Sequence, residues 1–353
     1  MKRFWVTLSY LILILPVILS IAAGCCNSNS YDRIYPPSTP VPSQTPSDDR
    51  IYSVGASGTV LYFNGSFWTQ ILPYPTTSKA VDNFNDVWVS STTDVWVAGS
   101  ANTIYHWNGT TWSKVGTTGA TETASFTSLW GTSSNNLYAV GYDSENETGV
   151  VSHRTSSGWA AEDFGGQLAH FEAKDIVGFS SRDVFIGGVD VQNNRGKFFA
   201  LTSAGWQEQS VPNDVGSITA IAGYNKDDYY VTGQSIGGSA ALYYLVKNQT
   251  PQAINTGLDL NNKLPNAIFT FAEGKIIIAG EDTETGLGYV HYKDADGWHN
   301  GVLPAGTKPL NGIWASDYSR VFIIGDDGTC IYFNGTRFEK VYVPTSKNLI
   351  GIF

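Results

Sequence analysis

The chain has 353 residues, of which 42% are hydrophobic and only 15% are charged, a composition that supports a large folded core. Acidic residues outnumber basic ones by 31 to 21, and the net charge of −10 becomes −12 if a leader containing Lys2 and Arg3 is removed. A surface this acidic repels phosphate backbones, which argues against nucleic acid as a partner. Three cysteines, two of them adjacent, give neither a disulfide framework nor a metal-ligand spacing.

Residues 1–24 are predicted to be a lipoprotein signal peptide. Two basic residues precede an apolar run over 6–21, which is typical of a secretory signal rather than a membrane span. The sequence AAGC at 22–25 resembles the lipobox of bacterial lipoproteins, with Ala where that family usually has Leu. The resemblance implies lipidation of Cys25 and an extracytoplasmic protein anchored to the membrane of a bacterial cell envelope or surface. Simple secretion is the alternative.

Residues 25–50 are predicted to be a tether that begins with the anchor cysteine. The stretch contains five prolines, many Ser and Thr, and almost no apolar periodicity. At about 3.1 Å per residue in a polyproline-like conformation, such a chain reaches on the order of 70 Å.

A single motif recurs seven times from residue 51 to the C-terminus, at intervals of 42 to 47 residues. Each copy is a short apolar run that ends in a glycine, and the seven are Gly55, Gly99, Gly141, Gly188, Gly233, Gly280 and Gly325. A period of this size is typical of a radial array of small sheets. We therefore predict one domain over residues 51–353, an all-β, seven-bladed β-propeller with four-stranded antiparallel blades.

Each unit contains four strand-like runs, named A to D here. In the last unit they are LNGIWAS, RVFIIG, CIYFNG and RFEKVYV. The repeat opens with run B at Ile51, and the chain ends in run A at Phe353. We therefore predict that the C-terminal strand pairs with the N-terminal blade, which closes the ring and leaves no open sheet edge.

Two recurrent positions have predicted structural roles. An aromatic residue after the turn between runs C and D is expected to wedge between adjacent blades in six units, as Trp68, Trp112, Trp159, Trp206, Trp298 and Phe338. A small or short polar residue in run A marks this run as the innermost strand, lining a central channel, as Asp86, Ser128, Asp175, Ala220, Ala267, Gly312 and Gly351. The lone Cys330 is predicted to be a small buried hydrophobe.

The pattern DVWVAG, TIYHWNG, TTW, FTSLWGTSSNNLYAVG resembles the DVWAVG-type repeats of secreted bacterial β-propellers. This group is similar to the Asp-box, kelch-like and photosystem II assembly factor-like propellers. The resemblance covers residues 51–353 and implies the fold. Because related propellers serve as enzymes, lectins and docking platforms, it does not select a function.

The loops between runs B and C are expected to form a candidate binding face around one end of the channel. Its members are mostly acidic, and they are Tyr142, Asp143, Glu145, Asp190, Glu281, Asp282, Asp326 and Asp327. Hard cations such as Ca²⁺ need several oxygen ligands, but no D-x-D-x-D-G run occurs. We predict no metal site and no cofactor, with calcium as an open alternative.

The sequence contains no recognisable catalytic set. Sialidase chemistry needs three clustered arginines, yet only Arg195 lies in a B-to-C loop, and no nucleophile elbow, zincin motif or phosphate loop occurs. Asp86 and Asp175 are the best placed carboxyl pair for acid–base chemistry on a glycan. Three histidines recur in run C and are predicted to be partnered structural side chains at equivalent places, namely His106, His153 and His291.

These observations favour a membrane-tethered binding or assembly scaffold, monomeric in its folded domain, that recognises an envelope protein or glycan through propeller loops. Two alternatives stay open. One is a hydrolase or lyase acting on polysaccharide, and the other is calcium-dependent adhesion.

Overall fold

The computed structural model describes residues 50–71, 83–116, 120–225, 227–246, 251–271 and 274–353. The predicted signal peptide, the predicted lipidation site Cys25 and the predicted tether up to residue 49 lie outside these residues. Over the described ranges, no helix is both long enough and apolar enough to cross a membrane. Among the described elements, the 3₁₀ turns Ala56–Gly58 and Asp326–Gly328 each connect two β-strands of one blade.

The described strands form seven antiparallel sheets of four strands, which are the blades of a propeller. Within each blade, strands A to D follow the order predicted from the sequence. In that order, blade 1 contains β28 (Leu349–Ile352), β1 (Ile51–Gly55), β2 (Thr59–Phe63) and β3 (Trp68–Gln70).

The next three blades follow in chain order. Blade 2 contains β4 (Phe84–Ser91), β5 (Asp94–Gly99), β6 (Thr103–Trp107) and β7 (Trp112–Val115). Blade 3 contains β8 (Ala124–Ser133), β9 (Asn136–Asp143), β10 (Thr148–Thr155) and β11 (Gly158–Ala161). Blade 4 contains β12 (Phe171–Ser180), β13 (Asp183–Asp190), β14 (Arg195–Thr202) and β15 (Gly205–Gln209).

The last three blades complete the ring. Blade 5 contains β16 (Val215–Asn225), β17 (Asp228–Ser235), β18 (Ala240–Val246) and β19 (Gln252–Ala253). Blade 6 contains β20 (Lys263–Thr270), β21 (Ile276–Asp282), β22 (Leu287–Asp294) and β23 (Gly297–Asn300). Blade 7 contains β24 (Leu310–Asp317), β25 (Arg320–Gly325), β26 (Thr329–Phe333) and β27 (Phe338–Lys340).

The C-terminal strand β28 closes the ring as strand A of blade 1. It pairs antiparallel with β1, where Ser53 lies opposite Ile352. The backbone N–H of Tyr52 donates to the Phe353 carbonyl at 2.8 Å, and the N–H of Phe353 donates back at 2.9 Å. Each A strand also contacts the A strand of the next blade, including β28 against β24 and β4. The predicted fold and its closure by the two ends of the domain are therefore confirmed.

The hydrophobic core lies between neighbouring blades. The ring of Trp159 in blade 3 packs edge-on at 5.9 Å from that of Trp96 in blade 2. Trp206 in blade 4 packs in the same way at 6.0 Å from Tyr138 in blade 3. Both tryptophans are buried, so these aromatic residues wedge against the preceding blade as predicted. Cys330 is also fully buried, in the cluster between blades 7 and 1.

A β-bulge near the start of every A strand explains the repeated glycine. In blade 2 the register shifts between Phe84, opposite Gly99, and Asp86. A Cβ on Gly99 would lie 1.8 Å from the carbonyl oxygen of Asn83, and at all seven repeat glycines the corresponding distance is 1.8 to 2.1 Å. The glycine that marks the period is therefore required because strand A approaches strand B too closely for a side chain.

Candidate functional site

A cavity of about 440 Å³ lies on the axis of the ring and is lined by the A strands of all seven blades. The start of each A strand pairs with the end of strand B, as Phe84 does with Gly99. The cavity is therefore level with the end of the channel from which the B-to-C loops leave. The predicted channel residues Asp86, Ser128 and Asp175 are all part of its wall.

The bulged residues form a ring in the cavity wall, which we call the rim. The rim residues are Asn85, Thr127, Lys174, Thr219, Asn266, Asn311 and Ile350. Asn85 Nδ2 donates to the Phe126 carbonyl of the next blade at 2.7 Å. Four others donate to the next blade in the same way, and these are Thr127, Thr219, Asn266 and Asn311. The rim was not predicted, although its signal is present as a mostly polar residue immediately before the small residue of run A.

Within the same wall, Ser128 connects two carboxyl groups. Its Oγ lies 3.2 Å from Asp86 Oδ2 and 2.9 Å from Asp175 Oδ1. Each of the four carboxyl oxygens also accepts a backbone N–H, and the donors are Val87, Leu129, Ile176 and Ile221. Two of these donors belong to the blade that follows the carboxyl, so both side chains link neighbouring blades.

The two carboxyl groups hold their protons unusually tightly. Burial raises the pKa of Asp86 to about 7, with a further contribution from Asp175, against the opposing effect of hydrogen bonds. Burial likewise raises the pKa of Asp175 to about 6. No described basic residue is among the groups that shift either pKa. Ser128 has one hydroxyl proton, so a single proton shared by the carboxyl pair gives every close contact a donor and an acceptor.

The free energy of unfolding should reflect this pair. Because the folded pKa values lie above the unfolded value, the folded chain binds more protons between about pH 4 and pH 7, and the pair's contribution to stability falls as the pH rises through this range. In urea unfolding, Asp86→Asn should reduce the loss of stability between about pH 5 and pH 8 by about 2 kcal/mol relative to the natural chain. The control is Glu208→Gln at an exposed carboxylate. An unchanged pH slope in Asp86→Asn would contradict the assignment.

Three of the predicted binding-face carboxylates point back toward the protein and accept hydrogen bonds from the loops that follow them. Asp143, Asp190 and Asp282 end the B strands of blades 3, 4 and 6. Asp143 accepts hydrogen bonds from the hydroxyls of Thr121 and Thr123, both at 2.7 Å. Although burial acts to raise it, these bonds hold the pKa of Asp143 below its ordinary value. Asp190 and Asp282 are bonded by their own loops and by a lysine, so all three stabilise loop conformations.

The remaining members of the predicted face are partly or fully exposed, and these are Tyr142, Glu145, Glu281, Asp326 and Asp327. Asp326 accepts a hydrogen bond from the rim residue Asn311 at 2.9 Å, which places it next to the cavity. Across the described ranges, no group of three or more His, Cys, Asp and Glu side chains is positioned to share a metal ion. The binding role of this face stays a prediction.

The histidine prediction is wrong for His291. His106 and His153 have carboxylate partners, and each lies opposite the residue three positions before the repeat glycine. His291 instead lies opposite Ile278, two positions before Gly280. This shift of one residue turns the side chain to the other face of the sheet. There it is 4% exposed, and neither ring nitrogen has a hydrogen-bond partner among the described residues.

His291 should make the protein less stable in acid. Burial, with a contribution from Lys263, lowers its pKa to about 4, although contact with Asn300 acts the other way. Below about pH 6.5 the unfolded chain binds a proton here that the folded chain does not, which removes about 2 kcal/mol of stability between pH 7 and pH 5. In urea unfolding, lowering the pH from 7 to 5 should therefore reduce the free energy of unfolding of His291→Leu by about 2 kcal/mol less than that of the natural chain. The control is the same change at the partly exposed His299, and equal behaviour of the two variants would refute the prediction.

The fold defines this chain as a seven-bladed β-propeller. Comparison with solved structures agrees with this class, whereas comparisons of the sequence alone found no match. No protein-family model matches the chain, and no curated protein sequence matches it. Among solved structures it is similar to YCF48 bound to a D1 peptide, with a TM-score of 0.55 and 16% identity over 76% of this chain and 82% of that one.

Two further structures give similar values. YCF48 from Cyanidioschyzon merolae has a TM-score of 0.54 and 14% identity over 78% of this chain and 88% of that one. The WD40 propeller domain of Doa1 has a TM-score of 0.55 and 13% identity over 84% and 90% of the two chains. At these identities the likeness concerns the fold alone.

Proposed function

We propose that the protein is a membrane-tethered, extracytoplasmic scaffold that binds a segment of a partner polypeptide at the end of its channel that contains the cavity. The observation that carries the proposal is the axial cavity, which all seven blades line. Concave sites of this kind, with a few convergent polar groups, are where proteins bind their ligands. The likeness to YCF48, whose structure holds a D1 peptide, supports a polypeptide as the ligand.

Exposed aliphatic side chains at the same end of the ring as the cavity support the same ligand. Val191 and Ile236 lie in the B-to-C loops of blades 4 and 5, and Leu287 is the first residue of strand C in blade 6; they are 43%, 48% and 39% exposed. These loops leave the ring at the end where the cavity lies. A polypeptide that passes from the cavity across blades 4 to 6 would bury them, whereas a glycan would leave them without apolar contacts.

The geometry of the carboxyl pair favours binding over glycan hydrolysis. A general acid must donate its proton to the substrate, and here the proton that the carboxyl pair shares is held in the contacts with Ser128. In Asp86 and Asp175 every carboxyl oxygen already accepts a backbone N–H, and one oxygen of each also contacts Ser128. These side chains hold the A strands of neighbouring blades together, so we assign them no catalytic role.

Photo-cross-linking in the cells that make the protein tests the scaffold role. A benzophenone amino acid would replace Ile236, and in a second full-length chain it would replace Phe67, which is 61% exposed in the C-to-D turn at the other end of the ring. We expect a discrete polypeptide adduct at Ile236 and none at Phe67. The proposal fails if Ile236 gives no polypeptide adduct or if both positions give the same adducts.

The membrane anchor is tested by labelling with a palmitate analogue. The sequence before Cys25 resembles a lipobox, so Cys25→Ser should abolish the label and move the chain from the membrane fraction to the soluble fraction. Cys26→Ser is the matched control and should keep both the label and the membrane location. An unlabelled natural chain, or identical behaviour of the two variants, would argue against the anchor.

A further inference from the structure

The rim presents hydrogen-bond acceptors to the cavity. Asn85, Asn266 and Asn311 each direct Nδ2 to two acceptors, which leaves only the amide Oδ1 for a ligand. Thr127 and Thr219 each direct their hydroxyl proton to backbone carbonyls, which leaves the lone pairs of Oγ1. Among the seven rim residues, Lys174 alone therefore keeps donors for a ligand. A molecule that contacts the rim side chains must therefore mainly donate hydrogen bonds to them.

The walls of the cavity differ between the two halves of the ring. Blades 2 to 4 contribute Asp86, Ser128 and Asp175, whereas the other four blades contribute small and aliphatic residues that include Ala220, Ala267, Ile313, Ile350 and Ile352. Among the described residues, Asp86 Oδ1 and Asp175 Oδ2 each accept one hydrogen bond, and a carboxylate oxygen accepts two. Two carboxyl groups with spare acceptor positions and no described basic partner thus face an apolar wall.

We propose that this cavity binds the side chain of an arginine in the partner segment. Guanidinium has five N–H donors and no acceptor, which matches a cavity lined with acceptors. Its charge compensates the carboxyl pair, and its methylene stem packs on the aliphatic wall of the other blades. This inference rests on the proposed function and specifies the side chain that the scaffold recognises.

Lys174 opposes a cationic ligand and so provides a sharp test. Its Nζ lies 2.6 Å from Glu172 Oε1, so the carboxylate of Glu172 offsets much of its charge. Lys174→Met removes the positive charge, frees Glu172 and leaves the other rim residues in place. We expect this variant to bind an arginine ligand several-fold more tightly than the natural chain does. Weaker or unchanged binding would count against the proposal.

The probe is the capped pentapeptide Ala-Ala-Arg-Ala-Ala, compared with the same peptide carrying citrulline, a neutral side chain of nearly the same shape. Calorimetric titration of the full chain in detergent should give an affinity for the arginine peptide at least about tenfold higher, a difference of about 1.4 kcal/mol. Equal affinities, or no binding of the arginine peptide, would overturn the inference.

Charge placed on the apolar wall gives an independent test. Ala267 occupies the same column of strand A as Asp86 and Asp175 and lines the cavity. The substitutions Ala267→Glu, Ala267→Gln and Ala267→Lys introduce side chains of similar bulk but different charge. We expect the affinity for the arginine peptide to fall in the order Glu, Gln, Lys, with thermal melting used to verify folding. Any other order refutes the proposal, and Lys174→Met provides the same comparison at the rim if a variant at Ala267 does not fold.

The two proposals fail in distinguishable ways. If Ile236 captures a polypeptide in cells but the purified chain does not prefer arginine over citrulline, the scaffold role stands and the arginine site is refuted. If the arginine peptide binds but no polypeptide is captured at Ile236, the cavity chemistry stands and the scaffold role is refuted.

Discussion

Gly141→Ala is expected to lower the free energy of unfolding by about 3 to 5 kcal/mol, or to prevent folding. A Cβ at this position would lie 2.0 Å from the carbonyl oxygen of Ser125 and 2.8 Å from the Cα of Phe126. Both are backbone atoms that the bulge and the strand ladder hold in place, so the clash cannot be relieved by rotating a side chain. Relief requires strand A of blade 3 to move away from strand B.

Gly116→Ala is the matched control for that substitution. Gly116 is exposed, and a Cβ there would have no neighbour within 4 Å. Its replacement should change the stability by less than about 1 kcal/mol. Urea unfolding followed by tryptophan fluorescence measures both variants. Equal effects would show that the close approach of strands A and B is not the reason for the repeat glycine.

Removal of residues 348–353 should abolish cooperative folding. The deletion takes away β28, the innermost strand of blade 1, including the fully buried Leu349. It also exposes the edge of β1 and removes the strand between β24 and β4. The combined loss exceeds about 5 kcal/mol, which is comparable with the whole stability of many domains.

The control for the deletion is Phe353→Ser. This side chain is 39% exposed, and its backbone hydrogen bonds with Tyr52 do not depend on its identity. The substitution should cost no more than about 1 to 2 kcal/mol. Circular dichroism melting distinguishes the outcomes, since the deletion should have no sharp transition. A truncated chain that melts like the full one would contradict closure of the ring by the C-terminal strand.

The fold could be predicted from the sequence because short-range sequence patterns determine it. The period, the run of four strands and the turn glycines are all local, and the split blade follows from a repeat that opens at run B and ends at run A. The small residues of run A also predicted where the axis lies, because crowding at the centre of a ring limits side-chain size in every unit.

The details of the site depend on contacts between distant residues, which single residues do not reveal. Asp143 lies in an acidic loop whose composition is typical of ligand binding. Its carboxylate nevertheless points inward, because it accepts hydrogen bonds from Thr121 and Thr123 in the connection that precedes strand A of the same blade. The rim depends on a bulge, which is a property of strand pairing. The sequence analysis wrongly aligned His291 with His153 because the B-to-C loops before them differ in length. In blade 3, His153 lies five residues before the turn glycine Gly158, and in blade 6 the residue five before the turn glycine Gly297 is Tyr292.

The most direct test of a polypeptide site at the cavity is to place a photoreactive group inside it. A diazirine analogue of lysine at Lys174 keeps the shape of the rim residue that lines the cavity. In the intact cells, this chain should form an adduct with one polypeptide, and mass spectrometry should locate the attachment beside an arginine. The same analogue at Lys114, exposed on the outer strand of blade 2, should form no such adduct. A Lys174 chain that captures no polypeptide, or captures the same ones as the Lys114 chain, would contradict the account.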